Sequence, residues 1–292
     1  MGAISSEKRS TETVSSDAVE AISFLVRSEH RVRVLAQLQT GDCSREQLNE
    51  VLDVSRVTLS RVLGDLEERE WIRKSPSDHR YRLTSFGERI FGDLSRLMQT
   101  VSVGQQYPDI IKRLPAEWFG FDLRCLTEGE HIAGNDADPL AAARVVADEI
   151  QHGSTCRSLL GTFIALPMYT FEASLQTGTE PTTTVMFDPD LTESMLTDQS
   201  LLNRWQSIEA KSEKLVYYSV ETPIPCSIDL IDESTVFLTV EQEGGSGFDI
   251  IKSTHPDVIR WAKDTIDDHY VAATPLKQCA DDNSGLSVTC ET

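Results

Sequence analysis

The 292-residue sequence predicts an α+β protein in which a small helical domain with a hairpin precedes a larger mixed α/β domain. Before residue 84, apolar residues recur at helical spacing in four short segments, and two strand-like triplets follow them. After residue 116, helical segments alternate with strand-like runs, as in mixed α/β domains. The two parts of the sequence also differ in charge. Residues 1–104 carry 15 Lys and Arg against 16 Asp and Glu, whereas residues 105–292 carry 12 Lys and Arg against 31 Asp and Glu.

The net charge of −20, with 19 Arg and only 8 Lys, resembles that of proteins from salt-loving cells. An ordinary acidic cytosolic protein is the alternative. Near 1 M salt the Debye length is about 3 Å, so binding to a charged partner would depend on close contacts rather than on long-range attraction.

The sequence contains no apolar run of the length a membrane span needs, so we expect no membrane partner and a cytoplasmic location. Residues 1–17 are polar and predict a disordered lead-in. The six cysteines form no C-x-x-C pair, which argues against a zinc ribbon and favours incidental free thiols. A redox pair of Cys279 and Cys290 is an open alternative, and neither a cofactor nor a metal is expected.

Residues 18–83 predict a compact helical domain that ends in a hairpin. The apolar set Ala18, Ile22, Leu25 and Val26 predicts a first helix. Ser28 is the predicted N-cap of a second helix, and Ser44–Gln47 fits a capping box that opens a third.

The segment 55–69 predicts a helix with two chemically different faces. Its apolar residues form one stripe, whereas the opposite arc is small, polar and basic, with no acidic residue before Asp65. Such a face can approach a DNA groove closely, and arginine can reach base edges or phosphates. With the preceding helix and turn, this pattern indicates a helix-turn-helix. The residues expected to bind DNA are Ser55, Arg56, Val57, Thr58, Ser60 and Arg61.

The segments 71–73 and 81–83 predict two short strands joined by a turn-rich loop. This segment contains four cationic residues, Arg73, Lys74, Arg80 and Arg82, and one acidic residue, Asp78. Such a charge balance favours contacts with the DNA backbone over a merely solvated hairpin. This hairpin is the predicted wing, and the residues expected to touch DNA there are Lys74, His79, Arg80 and Arg82.

Residues 84–103 predict a long connecting helix. Phe86, Ile90, Leu94, Leu97 and Val101 recur at spacings of four, four, three and four, like one stripe of a coiled coil. The stripe packs either on the winged domain or on a second copy; we favour a homodimer, which would read a palindromic site.

The runs 44–48, 54–63 and 81–87 resemble archaeal, in particular haloarchaeal, winged helix-turn-helix regulators of the ArsR-like superfamily. The longer arrangement resembles the regulators named after a methanogenesis regulatory protein, in which a sensor-like domain follows the winged domain. The resemblance implies that the helix from Ser55 enters the major groove and that the loop around 74–80 touches the backbone. One departure is Glu70, where many relatives have glycine.

Residues 116–272 predict a mixed α/β sensor or assembly domain, and 273–292 a flexible acidic tail. Ligands of open α/β sheets lie beyond the carboxyl ends of strands, which makes Gly161, Thr162 and Asp188 candidate effector-binding residues. Ordinary turns are the alternative for all three.

The sequence contains no phosphate-binding glycine loop and no nucleophile elbow, so we expect no enzyme. Some archaeal regulators carry phospholipase-like domains whose catalytic relatives need His-x-Lys, which this sequence lacks. The sequence therefore predicts a DNA-binding transcriptional regulator with promoter or operator DNA as its partner. Two alternatives stay open: a winged module that binds proteins rather than DNA, and an enzyme with a regulatory winged domain.

Overall fold

The computed structural model describes residues 15–114, 117–134, 138, 140–242 and 247–286. The chain forms two compact units, residues 1–98 and 99–292. Most of the predicted lead-in lies outside the described residues. Its residues Ser16 and Asp17 belong to the first helix, and Ser15 caps that helix by accepting a hydrogen bond from the Ala18 amide.

The first unit contains the predicted helices and the predicted hairpin. The Ser44 capping box is present in full, and the Ser55 hydroxyl accepts the Thr58 amide at 3.1 Å. Ser28 stands at the start of its helix but makes no side-chain capping bond. The elements are α1 (Ser16–Val26), α2 (Glu29–Gln39), α3 (Arg45–Leu52), α4 (Arg56–Glu68), β1 (Ile72–Lys74), β2 (Tyr81–Leu83) and α5 (Ser85–Gln106).

The core of this unit comes from one face of each helix and from the hairpin. Leu35, Leu48, Leu59 and Leu63 are buried together with Trp71. This burial fixes the rotation of α4, because its apolar stripe must face the core and its opposite arc must face outward.

The predicted first helix is present, but of the four apolar residues that indicated it only Leu25 is buried. Ala18, Ile22 and Val26 are exposed. In α5, Leu94 is buried and Ile90 is half-buried, whereas Phe86, Leu97 and Val101 are exposed. Apolar side chains of both helices are therefore left facing outward.

The second unit is built on an eight-stranded mixed sheet with the order β10-β6-β5-β4-β7-β8-β9-β3. The strands β4, β5 and β6 are parallel, and the other neighbours are antiparallel. The strands are β3 (Glu130–Ala133), β4 (Thr155–Leu160), β5 (Thr182–Phe187), β6 (Leu215–Ser219), β7 (Ser227–Ile231), β8 (Thr235–Glu241), β9 (Phe248–Ser253) and β10 (Thr274–Pro275).

Helices cover both faces of this sheet. One face packs on Val258, Ala262 and Ile266 of α11, and the other on Val146 of α7 and Phe171 of α8. The helices are α6 (Pro108–Arg113), α7 (Ala141–His152), α8 (Leu166–Ser174), α9 (Pro189–Thr197), α10 (Gln199–Glu209), α11 (Pro256–Val271) and α12 (Leu276–Leu286). The predicted α+β fold class is confirmed.

The flexible tail predicted from residue 273 is wrong for residues 274–286. Thr274 and Pro275 pair with β6, and α12 follows with Leu276 fully buried. Leu276 and the partly buried Ala280 pack against the core of the second unit. Residues 287–292, which include Cys290, lie outside the described part of the chain. No helix of the described residues has the length and apolar character needed to cross a membrane.

Candidate nucleic-acid interface

The outward arc of α4 carries the residues that the sequence predicts to bind DNA. Arg56, Val57, Ser60 and Arg61 are exposed, with 81% of the Val57 surface accessible, and Thr58 is half-buried. Glycine and serine dominate the rest of this arc. The helix can therefore approach a partner closely with two guanidinium groups reaching beyond its backbone.

No acidic side chain in the described part of the chain makes a direct ion pair with the two guanidinium groups of this face. Among the described residues, the Arg56 and Arg61 side chains form neither an ion pair nor a hydrogen bond. The first acidic residue along α4 is Asp65, which pairs with Arg31 of α2 at 2.9 Å. The first turn of α4 holds no acidic residue either, so the partial positive charge of its N-terminus is also uncompensated.

Arg45 of α3 extends the face, and the sequence reasoning missed it. Its guanidinium donates to the Arg56 carbonyl oxygen at 3.2 Å and to the Ser60 hydroxyl. Glu46 lies nearby and its pKa is lowered, first by a backbone hydrogen bond and then by the Ser44 hydroxyl, with smaller effects of Arg45 and Arg56. Only the spacing between α3 and α4 brings Arg45 here, and that spacing is not visible in the sequence.

The wing divides into anchoring and outward-facing cations. The Arg80 guanidinium donates to Gln47 Oε1 of α3 at 2.8 Å, and Arg82 pairs with Asp42 at 3.0 Å. Arg80 therefore fixes the hairpin to α3, and Arg82 fixes it to the loop between α2 and α3. Lys74 and His79 are exposed, and His79 adopts a left-handed conformation with φ of 57° at the turn. These two are the predicted wing residues that point away from the core.

The predicted effector residues lie together at the carboxyl ends of β4 and β5. Asp188 is buried and caps α9 by accepting the Leu191 amide at 2.9 Å, which gives it a structural task. An added Cβ at Gly161 would lie 1.7 Å from the Ile224 carbonyl oxygen, so Gly161 allows a close backbone contact. Thr162 differs from both because it lines a cavity of about 60 Å³.

This cavity lies between one face of the sheet and the helices α7 and α8. Most of its wall is apolar, and one end carries Ser158, Asp229 and Thr239. Asp229 is buried and accepts a hydrogen bond from the Ser158 hydroxyl at 2.6 Å. Burial raises the pKa of Asp229 to about 6, and the Ser158 hydrogen bond opposes that shift.

A second cluster could hold a metal ion. Cys125, His255 and Asp257 each offer a ligand atom within 4.8 Å of the others. Cys125 lies far from His255 and Asp257 in the sequence, so spacing gave no signal for the cluster. His255 Nδ1 accepts the Asp257 amide at 3.2 Å, and Asp257 pairs with Arg260 at 2.7 Å. Two of the three groups therefore already have protein partners.

Residues 19–106 match the family model of the HVO_A0261 N-terminal domain. The match covers the whole helix-turn-helix, the wing and α5, but less than half of the chain. No curated protein sequence matches the chain.

Three solved structures illustrate the remaining similarity. The archaeal chromatin protein TrmBL2, whose structure shows a novel mode of DNA binding, is 14% identical over 89% of this chain and 99% of its own, with a TM-score of 0.36. The phospholipase D family member Nuc from Salmonella typhimurium is 13% identical and NucT from Helicobacter pylori 10%. Each covers 51% of this chain and 98% of its own, with a TM-score of 0.40. At these TM-scores the likenesses carry no argument about function.

The buried Asp229 predicts a pH-dependent cost to stability. A raised folded-state pKa means that the folded protein binds the proton more tightly, so this carboxyl destabilises the fold as the pH rises from about 4 to above 6. We expect Asp229→Asn to raise the free energy of unfolding at pH 8 by up to about 3 kcal/mol, and by progressively less toward pH 5. Urea denaturation at several pH values measures this difference.

The matched control is Asp264→Asn on α11, which removes an exposed carboxyl. It should change stability little at any of these pH values. A difference between wild type and Asp229→Asn that stays constant from pH 5 to pH 8 would contradict the assignment of a buried, titrating carboxyl.

Proposed function

We propose that the chain is a DNA-binding transcriptional regulator that reads the major groove with the outward arc of α4. The observation that carries this proposal is the pair Arg56 and Arg61, unpaired within the described residues on an exposed arc of α4 that has no acidic residue before Asp65. Lys74 and His79 of the wing would contact the adjacent DNA backbone. In the high salt that the composition suggests, such close contacts would supply most of the affinity. We propose no catalytic activity for the chain.

The direct experiment is selection of bound fragments from sheared genomic DNA by the full chain, followed by footprinting. We expect a subset of fragments with a shared sequence, and a protected region about one helical turn long for each half-site. Binding should weaken as salt rises. The logarithm of the binding constant should fall with the logarithm of the salt concentration, with a slope near −0.9 for each phosphate contact. Uniform recovery of all fragments would contradict sequence-specific regulation, and recovery of no fragment would favour the protein-interaction module.

We also propose that a second copy covers an apolar groove between α1 and α5. The groove has a volume of about 560 Å³ and lies within the first unit. The exposed fractions of Phe86 and Leu97 are 60% and 57%, a large apolar exposure for two residues of one helix stripe. The groove is lined by Ala18, Ala21, Ile22, Leu25, Arg69, Trp71, Phe86, Ile90, Asp93, Leu94 and Leu97.

Leu97→Glu tests this interface. A charge placed in the apolar stripe would have to be buried without a partner, so we expect the dimer to dissociate at least tenfold more readily. Sedimentation equilibrium measures the change. The control is Gln99→Glu, which adds the same charge about 160° further around the helix. A wild-type chain that sediments as a monomer, or a Leu97→Glu dimer of unchanged strength, would contradict the proposal.

A further inference from the structure

The cavity beside Asp229 has the composition of a site for a small molecule with an apolar body and one polar end. Its walls include the side chains of Leu160, Met168, Phe171 and Tyr217, which come from two strands and a helix. A volume of about 60 Å³ holds roughly four to six water-sized groups. A molecule of five or six non-hydrogen atoms therefore fills it.

The polar end contains a hydroxyl that has no hydrogen-bond partner in the part of the chain that the structure describes. Thr239 is 1% exposed, and its Oγ1 is buried without a hydrogen bond among the described residues. A buried hydroxyl left without a partner costs about 1–3 kcal/mol. Thr239 lines the cavity, so a ligand inside it can supply the missing hydrogen bond.

The carboxyl of Asp229 faces the same space without a compensating cation. None of the described residues that line the cavity is Lys, Arg or His, and Asp229 has the Ser158 hydroxyl as its partner. Buried carboxylates are ordinarily paired with a positive group. Folding has already removed this carboxyl from water, so an entering cation does not have to desolvate it. Burial without a nearby positive charge is consistent with the raised pKa of this carboxyl, whose cause is desolvation.

We propose that this cavity binds a small primary amine, whose ammonium group donates to Asp229 and Thr239 and whose apolar part packs against Met168 and Phe171. The amine supplies the positive charge and hydrogen-bond donor that the polar end lacks. Binding itself is independent of DNA. Only the further step, in which the amine acts as the effector of a regulator, rests on the proposed function.

The test uses 3-methylbutan-1-amine as the probe and 3-methylbutan-1-ol as its uncharged isostere. Both are titrated into the full chain at pH 8 without DNA, and the ¹³C-methyl signal of Met168 is followed by NMR. A Met168→Leu variant assigns that signal. We expect the amine to saturate the Met168 shift with at least tenfold higher affinity than the alcohol, since a hydrogen bond to a charged group contributes more than a neutral one.

Two variants separate the polar contacts. Asp229→Asn should abolish the preference for the amine and leave the two probes within about twofold of each other. Thr239→Val keeps the shape of the side chain and should weaken the amine several-fold. The proposal is overturned if the amine causes no saturable shift of the Met168 signal in the wild-type protein, or if the alcohol binds with equal affinity. Neither result depends on the folding of a variant. Fragment selection, measured separately, reports on DNA binding alone.

Discussion

Replacing Arg56 and Arg61 together with alanine should lower the affinity for the selected DNA site by about 100-fold to 1,000-fold. A lost arginine contact to a base costs about 1–3 kcal/mol, and each 1.4 kcal/mol is tenfold in affinity. Both side chains are exposed and unpaired within the described chain, so their removal leaves no buried group without a partner. The fold should therefore be unaffected. Mobility shifts with the selected site and with a scrambled duplex measure the loss.

The scrambled duplex makes the result specific. Affinity for it should fall much less, because nonspecific binding depends on charge and not on base edges. Arg144→Ala with Arg260→Ala removes the same two charges from α7 and α11 of the second unit. This control should leave specific binding within a few-fold of wild type. An equal loss in both double variants would mean that net charge, and not the α4 face, carries the affinity.

Gly87→Ala should lower the free energy of opening of the first unit by about 3 kcal/mol. An added Cβ would lie 1.9 Å from the Trp71 carbonyl oxygen, which no side-chain rotation can relieve. The same carbonyl accepts the Thr84 amide at 3.0 Å, and the Thr84 hydroxyl accepts the Gly87 amide at 3.0 Å. The start of α5 would have to move and break these bonds. Hydrogen exchange of amides in residues 15–98 measures the loss, as a fall in protection of about 100-fold.

The same helix offers a matched control. An added Cβ at Gly92 would meet nothing within 4 Å, so Gly92→Ala changes backbone entropy without a clash. Because alanine favours the helix by up to about 1 kcal/mol over glycine, this variant should be slightly more stable than wild type. If Gly92→Ala lowered the stability of the first unit as much as Gly87→Ala, the clash with the Trp71 carbonyl would not be the cause. The loss would then reflect a general intolerance of α5 to an added β-carbon.

Local pattern was sufficient to predict the elements of the first unit and the outward face of α4. The cap at Ser55 and the apolar stripe of α4 are encoded within single turns of helix, so period and capping chemistry indicate both the element and its outward face. The resemblance to winged regulators also made Glu70 conspicuous. In the structure Glu70 has φ of 59°, a conformation that glycine adopts without strain. Glutamate holds it at a cost of about 1 kcal/mol or more.

Features that depend on contacts between distant residues could not be predicted. Ser158, Asp229 and Thr239 meet only because β4, β7 and β8 are neighbours in the sheet, an order that the sequence does not reveal. Arg45 reaches α4 through the angle between two helices. The wing arginines illustrate the same limit: composition showed four cations, but not that Arg80 and Arg82 are held by Gln47 and Asp42.

Val57 lies at the middle of the surface of α4 that we expect to contact the DNA bases. A photo-crosslinking amino acid placed at Val57 in the full chain, bound to the selected DNA site, tests the claim by mapping the linked nucleotide. We predict crosslinks to base atoms that line the major groove, and none from the same amino acid placed at the exposed Val271 of α11. Crosslinks from position 271 but not from position 57, in a complex that still binds specifically, would contradict the account.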